Sequence, residues 1–252
     1  MIINTNGLII KEYIVGESDK YITLFTKDLG KVQVIAHRAK KSERGLASAT
    51  QLFTYGSFII SIYKETYKLI GAEVLSSFFA IRQDLNALSY AAYITEFIDG
   101  VTEEGLSSKD ILEISIMTLL ALEKKLVPFK LVRRIFEVKM LSVLGFMPQL
   151  YKCTNCNQML EEDAHKCYFF SVTSGGLVCK ECIHDYDDHL SLSYSTLYTL
   201  RYIIDVPIKK LYSFKISDKI QDELDALCNQ YVDYYLDKKF KTLDFIEKLK
   251  EV

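Results

Sequence analysis

Tyr21-Ile-Thr-Leu-Phe-Thr-Lys27, Asp28-Leu29-Gly30 and Lys31-Val-Gln-Val-Ile-Ala-His37 decide how the N-terminal part of this chain is read. Two runs rich in β-branched and aromatic residues are joined at hairpin distance by turn residues. The second alternates at its start, as a half-buried strand should. Three more short runs of the same kind, 7–13, 57–64 and 67–75, complete a set of five. Five short strands with one long connection, about 38–56, fit a small closed barrel. The OB-fold is such a barrel, and its surface commonly binds nucleic acid. Strand count by itself leaves an SH3-like barrel open.

From Arg82 onward the period becomes helical. Leu85, Leu88, Ala92 and Phe97 share one face of a first helix, and 111–125 forms a second. A third starts at Pro128, runs through Leu131, Ile135, Val138, Leu141 and Leu144, and is stopped by Gly145 and Pro148. Helices resume at 195–205 and 218–239. In the last, Ile220, Leu224, Leu227, Tyr231 and Tyr234 make a core-facing stripe. The expected organisation is an OB-fold β-barrel at 1–80, followed by an α-helical domain at 81–252 that carries an inserted segment at about 149–185.

That insertion holds Cys153-Thr-Asn-Cys156 and Cys179-Lys-Glu-Cys182, two Cys-x-x-Cys knuckles with 22 residues between them. Each knuckle brings two thiolates to one ion from a tight turn. Two complete a tetrahedron suited to Zn²⁺. Four thiolates leave no position for water, so one structural zinc ion in a ribbon is expected, with no catalytic role. The alternative is disulfides or free thiols. Lys152, Lys166 and Lys180 would offset the charge of a tetrathiolate. Cys167 reads as a buried bystander and Cys228 as a small core residue on a helical stripe. His165, His184 and His189 flank the segment as possible substitute ligands, which four cysteines render unnecessary.

The chain has 252 residues and a net charge of −2, divided unevenly. Residues 1–80 hold ten Lys/Arg and seven Asp/Glu, a balance of +3; the remaining 21 and 26 give −5. The basic residues concentrate in 31–44, where Lys31, His37, Arg38, Lys40, Lys41 and Arg44 are candidate phosphate contacts. Tyr and Phe on neighbouring strands are suited to stack unpaired bases. A second cluster holds Lys130 and Arg133 as further candidates beside Lys124, Lys125 and Arg134. There Glu137 offers an intrahelical partner, so a paired helix face is the commoner explanation. No basic-then-apolar leader and no apolar run long enough for a bilayer are present, which points to a cytoplasmic protein without a membrane. No phosphate loop follows a strand, and no catalytic constellation stands out. A nucleotide cofactor and enzymatic activity are therefore not expected.

Several stretches together resemble the RecO family of bacterial recombination mediators, over essentially the whole chain. They are Gly30-Lys31, Ala36-His-Arg-Ala-Lys-Lys41, Gln51-Leu-Phe53, Arg134-Ile-Phe-Glu137, Leu144-Gly-Phe-Met-Pro-Gln-Leu150 leading to Cys153, Gly175-Gly-Leu-Val-Cys179 and Phe240-Lys-Thr-Leu243. The family commonly has glycine where Arg38 stands and proline where Leu52 stands. Some members lack the zinc cysteines that this chain keeps. The resemblance implies an OB-fold domain, then a helical domain holding a zinc ribbon. It also implies binding of single- and double-stranded DNA, annealing of complementary strands, partnership with RecR, and help in loading RecA onto DNA coated by the single-strand-binding protein SSB. A zinc-ribbon transcription regulator and a non-enzymatic protein-interaction scaffold are the alternatives from other classes.

Overall fold

The first strand does more than its sequence advertises. In a computed structural model that describes residues 1–40, 46–161, 163 and 166–249, β1 (Ile2–Val15) is fourteen residues long. Residues 2–8 pair with β4 (Tyr55–Tyr63) and residues 7–15 with β2 (Asp19–Thr26). A bulge between Ile9 and Lys11 bends the strand between its two partners. The expected start at residue 7 therefore falls short, because the polar Asn4 and Asn6 mask five paired residues at the front. β3 (Gly30–Ala36) follows β2 in an antiparallel ladder and meets β5 (Thr66–Ser76) in parallel. The order β1-β2-β3-β5-β4 closes on itself. This is an OB-like barrel, with α1 (Leu46–Ala49) between β3 and β4. Its interior is filled by Ile9, Ile22, Leu24, Val34, Phe58 and Ile60. Val32, Val34 and Ala36 point inward along β3, confirming the alternation read from the sequence.

Gly30 explains why the hairpin turn ends in glycine. Its φ is +65°, and a Cβ there would run into the backbone of Leu106.

The chain divides into two compact units, 1–125 together with 240–252, and 126–239. This differs from a partition at residue 80: the first two long helices pack with the barrel. They are α2 (Leu85–Val101), capped by Asp84 accepting from the N–H groups of Asn86 and Ala87, and α3 (Lys109–Lys124), capped by Ser108. α7 (Lys241–Leu249), a helix the sequence did not announce, returns to the same unit. Phe240 seats it, stacking on Phe97 at 5.2 Å and meeting Tyr93 edge-on at 5.6 Å. The Glu96 carboxylate accepts from the Lys241 and Thr242 N–H groups, each at 3.0 Å, and so caps the start of α7.

The second unit holds α4 (Phe129–Val143), α5 (Tyr194–Asp205), α6 (Asp218–Leu236) and a sheet ordered β7-β6-β8. Its strands are β6 (Cys167–Ser171), β7 (Gly176–Val178) and β8 (His189–Ser193). The expected hairpin at Gly175-Gly176 is β6–β7, and β8 lies past the expected end of the insertion at 185. On α6, Leu224, Leu227 and Tyr231 are buried as the stripe requires, and Cys228 is buried with them. Tyr234 departs from the stripe and is exposed, because the buried face continues through Val232 instead.

Candidate nucleic-acid interface and metal centre

Gly145, with φ +92°, ends α4 in a Schellman turn in which the Phe146 N–H reaches the Leu141 carbonyl at 2.8 Å. Pro148, Gln149 and Leu150 then carry the chain to the first knuckle. Gln149 pairs with Gly176, where a Cβ would lie 2.5 Å from the Gln149 carbonyl oxygen, so only glycine allows the approach. Leu150 is locked by the buried Arg201, whose Nε and Nη2 donate to its carbonyl at 3.0 and 2.6 Å while the guanidinium covers the Tyr151 ring at 4.3 Å.

These contacts bring four sulfurs together. The Sγ atoms of Cys153, Cys156, Cys179 and Cys182 all lie within 4.8 Å of one another, and those of Cys156 and Cys179 are 3.7 Å apart. A Zn–S bond of roughly 2.3 Å gives a tetrahedron with edges of about 3.8 Å. The turn of the first knuckle is closed by the Asn157 N–H on the Cys153 carbonyl, with Asn157 at φ 61°. That of the second is closed by the Cys182 N–H on the Cys179 carbonyl. Burial disfavours a thiolate at Cys153, but N–H donors from Cys156, Cys179 and Asn155 outweigh it and bring the thiol down to about 6. Burial pushes Cys179 up instead, reinforced by Glu181 and Cys182. Four sulfurs this close all carry negative charge only with a cation among them, so the donor set fits a zinc ion. His184 and His189 are exposed and outside the sulfur cluster, and His165 lies outside the described residues. Cys167, expected to be buried, is exposed at the start of β6. Lys166 is turned to Glu161 at 3.2 Å and Asp163 at 3.8 Å.

The basic segment leaves the barrel at the end of β3. His37, Arg38 and Lys40 are exposed while Ala39 is buried and anchors the turn. Arg38 has φ 53°, the left-handed conformation that glycine adopts freely. Asp19 holds it there: one carboxylate oxygen accepts the Arg38 N–H at 2.8 Å and the other meets His37 Nδ1 at 2.8 Å. The Arg38 and His37 contacts keep the Asp19 carboxyl below its ordinary range. Among the described residues no carboxylate is ion-paired with the side chain of Arg38 or Lys40. Lys41 and Arg44 lie outside the described residues. Lys31 is already engaged, donating to the Asp99 carbonyl at 2.7 Å with the Asp99 carboxylate at 3.4 Å.

The profile of the family described as "Recombination protein O N terminal" matches residues 1–78, and that described as "Recombination protein O C terminal" matches residues 82–244. The chain belongs to the RecO family. It is 31% identical over 251 residues to the DNA repair protein RecO of Acetivibrio thermocellus, covering 99% of this chain and 98% of that one. It is 32% identical over 248 residues to the DNA repair protein RecO of Caldicellulosiruptor saccharolyticus, covering 98% and 99%. Membership in the RecO family places the chain in DNA repair and recombination. The two profiles meet near residue 80, whereas the compact units divide at 125, so α2 and α3 match the C-terminal profile but pack with the barrel.

One candidate contact needs correction within this RecO-family chain. Arg133 is buried and its guanidinium is spoken for: Nε donates to Glu137 at 2.7 Å and Nη2 to Asn229 at 3.3 Å. Arg134 joins the same network through Glu137 at 2.7 Å, Asp225 at 2.5 Å and Asn229 at 2.7 Å. Burial lowers the Arg134 pKa, but Glu137 and Asp225 more than offset it, so the guanidinium stays charged. Two cations and two carboxylates tie α4 to α6, so Arg133 has no charge to present outward. Lys130 is exposed on α4, and Lys125 is paired with Asp84 at 2.7 Å. Asp19 and Glu96 escaped the sequence reading. Their partners lie far along the chain, and no local pattern marks either. Among the described residues no helix is long and apolar enough to cross a membrane.

Proposed function

We propose that this chain binds single- and double-stranded DNA through the basic end of its barrel and anneals complementary strands without consuming nucleotide. With RecR, it helps load RecA onto SSB-coated DNA. The observation that carries the DNA-binding part is the exposed His37–Lys40 turn. Arg38 and Lys40 there lack carboxylate partners among the described residues, and Lys41 and Arg44 follow in sequence. RecO-family membership supports the partners. Two polyanionic strands repel each other; a basic surface that holds both lowers the barrier and leaves base edges free to pair. The N-terminal +3 balance can form a local patch although the whole chain is acidic.

On this reading the protein is not an enzyme. Cys153, Cys156, Cys179 and Cys182 hold one Zn²⁺, which cross-links the two knuckles and supplies structure alone. The protein works in the cytoplasm and on the nucleoid during repair.

Annealing of two labelled oligonucleotides, bare and SSB-coated, followed by fluorescence quenching with and without ATP, tests the proposal. Acceleration independent of ATP is expected. A rate no faster than free strands over a range of salt, or a strict ATP requirement, overturns it. Strong preference for one duplex sequence would favour a transcription regulator instead.

A further inference from the structure

The outer face of β1, β2 and β3 is unevenly covered. At one end α2 and α3 pack on β1, and Lys11 and Lys31 converge on Asp99. Toward the other end β1 is exposed from Tyr13 to Val15 among the described residues. Here Tyr13 stands directly opposite Tyr21 in the β1–β2 ladder, and the two residues are 56% and 39% exposed. Opposed residues in an antiparallel pair have Cβ atoms about 5 Å apart, so both side chains stand side by side on the same face of the sheet. The row continues through Ile35, opposite Tyr21, to the exposed Lys68, opposite Ile35. The register puts the Gly16-Glu17-Ser18 turn and the His37–Lys40 turn at this same end; the β4–β5 turn lies at the other, toward Ile2 and Gly30.

Exposed rings bordered by cations match one ligand chemistry well: a single nucleic-acid strand, whose bases have flat apolar faces and whose backbone is anionic. Two of the nearby acids are already engaged, Glu12 by Lys20 and Asp19 by His37 and the Arg38 N–H; Glu17 sits in the β1–β2 turn. We infer that Tyr13 and Tyr21 are a base-stacking platform that sets preference for single strands over duplex, while Arg38 and Lys40 hold phosphates. The inference rests on the DNA-binding reading above. Bases inside a duplex already stack on one another and have no free face to offer. Stacking also leaves the pairing edges open, as annealing requires.

The test compares wild-type protein with Tyr13→Ala/Tyr21→Ala and with Tyr13→Phe/Tyr21→Phe, each checked for folding by thermal denaturation. Binding is read by anisotropy on a labelled mixed-sequence strand and its duplex, and by emission of 2-aminopurine placed in the strand. The alanine pair should lose roughly tenfold or more in single-strand affinity, since stacking by one ring is worth about 1–3 kcal/mol. Duplex affinity and the salt slope should hold, because every phosphate-binding cation is kept. The phenylalanine pair, which keeps the ring faces, should behave as wild type. Unchanged single-strand affinity in the folded alanine pair, or an equal loss on duplex, overturns the platform and leaves the basic turn standing. Failure of wild-type protein to bind either DNA overturns the underlying reading and the platform with it.

Discussion

Asp19 accepts a hydrogen bond at 2.8 Å from the backbone N–H of Arg38, nineteen residues on, and so fixes a left-handed residue at the mouth of the basic loop. Glycine at this position would suit that φ of 53° without strain. Arginine accepts the strain and adds a charge. Arg38→Gly should therefore hold or raise stability, by up to about 1 kcal/mol, while weakening DNA binding. Thermal denaturation and strand-binding titrations separate the two effects. A clear loss of stability would mean that the Arg38 side chain has a structural role the geometry does not show.

The buried network of Arg133, Arg134, Glu137 and Asp225 should be costly to break. Glu137 is fully buried and serves both arginines, so Glu137→Gln leaves two guanidinium charges with one carboxylate. Removing one partner from such a network costs about 3–5 kcal/mol. Urea unfolding measures it. A change under about 1 kcal/mol would show that water or another group compensates.

Acid should act through carboxylates whose pKa is depressed in the folded state. Burial raises the Asp99 pKa, but Lys11 at 2.5 Å and Lys31 at 3.4 Å outweigh it and leave it below the ordinary range. A depressed carboxylate contributes stability that is present above its unfolded pKa and lost as pH falls through the folded one. Stability should thus be level at neutral pH and decline once pH drops below about 4. Asp99→Asn should flatten part of that decline, as followed by denaturant midpoints from pH 7 to 2.5. An identical decline in the variant would remove Asp99 from the account.

Protein purified without added metal should contain one zinc per chain by elemental analysis. Cys153→Ser with Cys182→Ser should abolish it, and chelation should lower the melting temperature before it weakens DNA binding. Full zinc retention in the double variant would refute the four-sulfur assignment.

What could be read in the sequence follows physical range. The barrel strands and the five helices α2 to α6 were legible because side-chain period and turn residues are local signals, and the knuckles because ligand spacing is local too. The polar residues Asn4 and Asn6 hid the front of β1, whose pairing with β4 is set across more than fifty residues. α7 was missed because its docking depends on Phe240 meeting Phe97 and Glu96 capping its start, contacts about 145 residues apart. Arg133 looked like a surface charge because a helix period gives a face without saying what covers it. Its partner Asn229 lies 96 residues away.

The most direct test of the account is a salt titration of binding to single-stranded oligonucleotides, comparing wild-type protein with a variant in which Arg38, Lys40, Lys41 and Arg44 are alanine. If these side chains hold phosphates, the slope of log affinity against log salt should shrink by roughly 0.7 for each phosphate no longer neutralised, about 2.8 for four, and equally for strands of different base composition. An unchanged affinity and slope in the folded variant would contradict the account and move DNA binding away from the barrel.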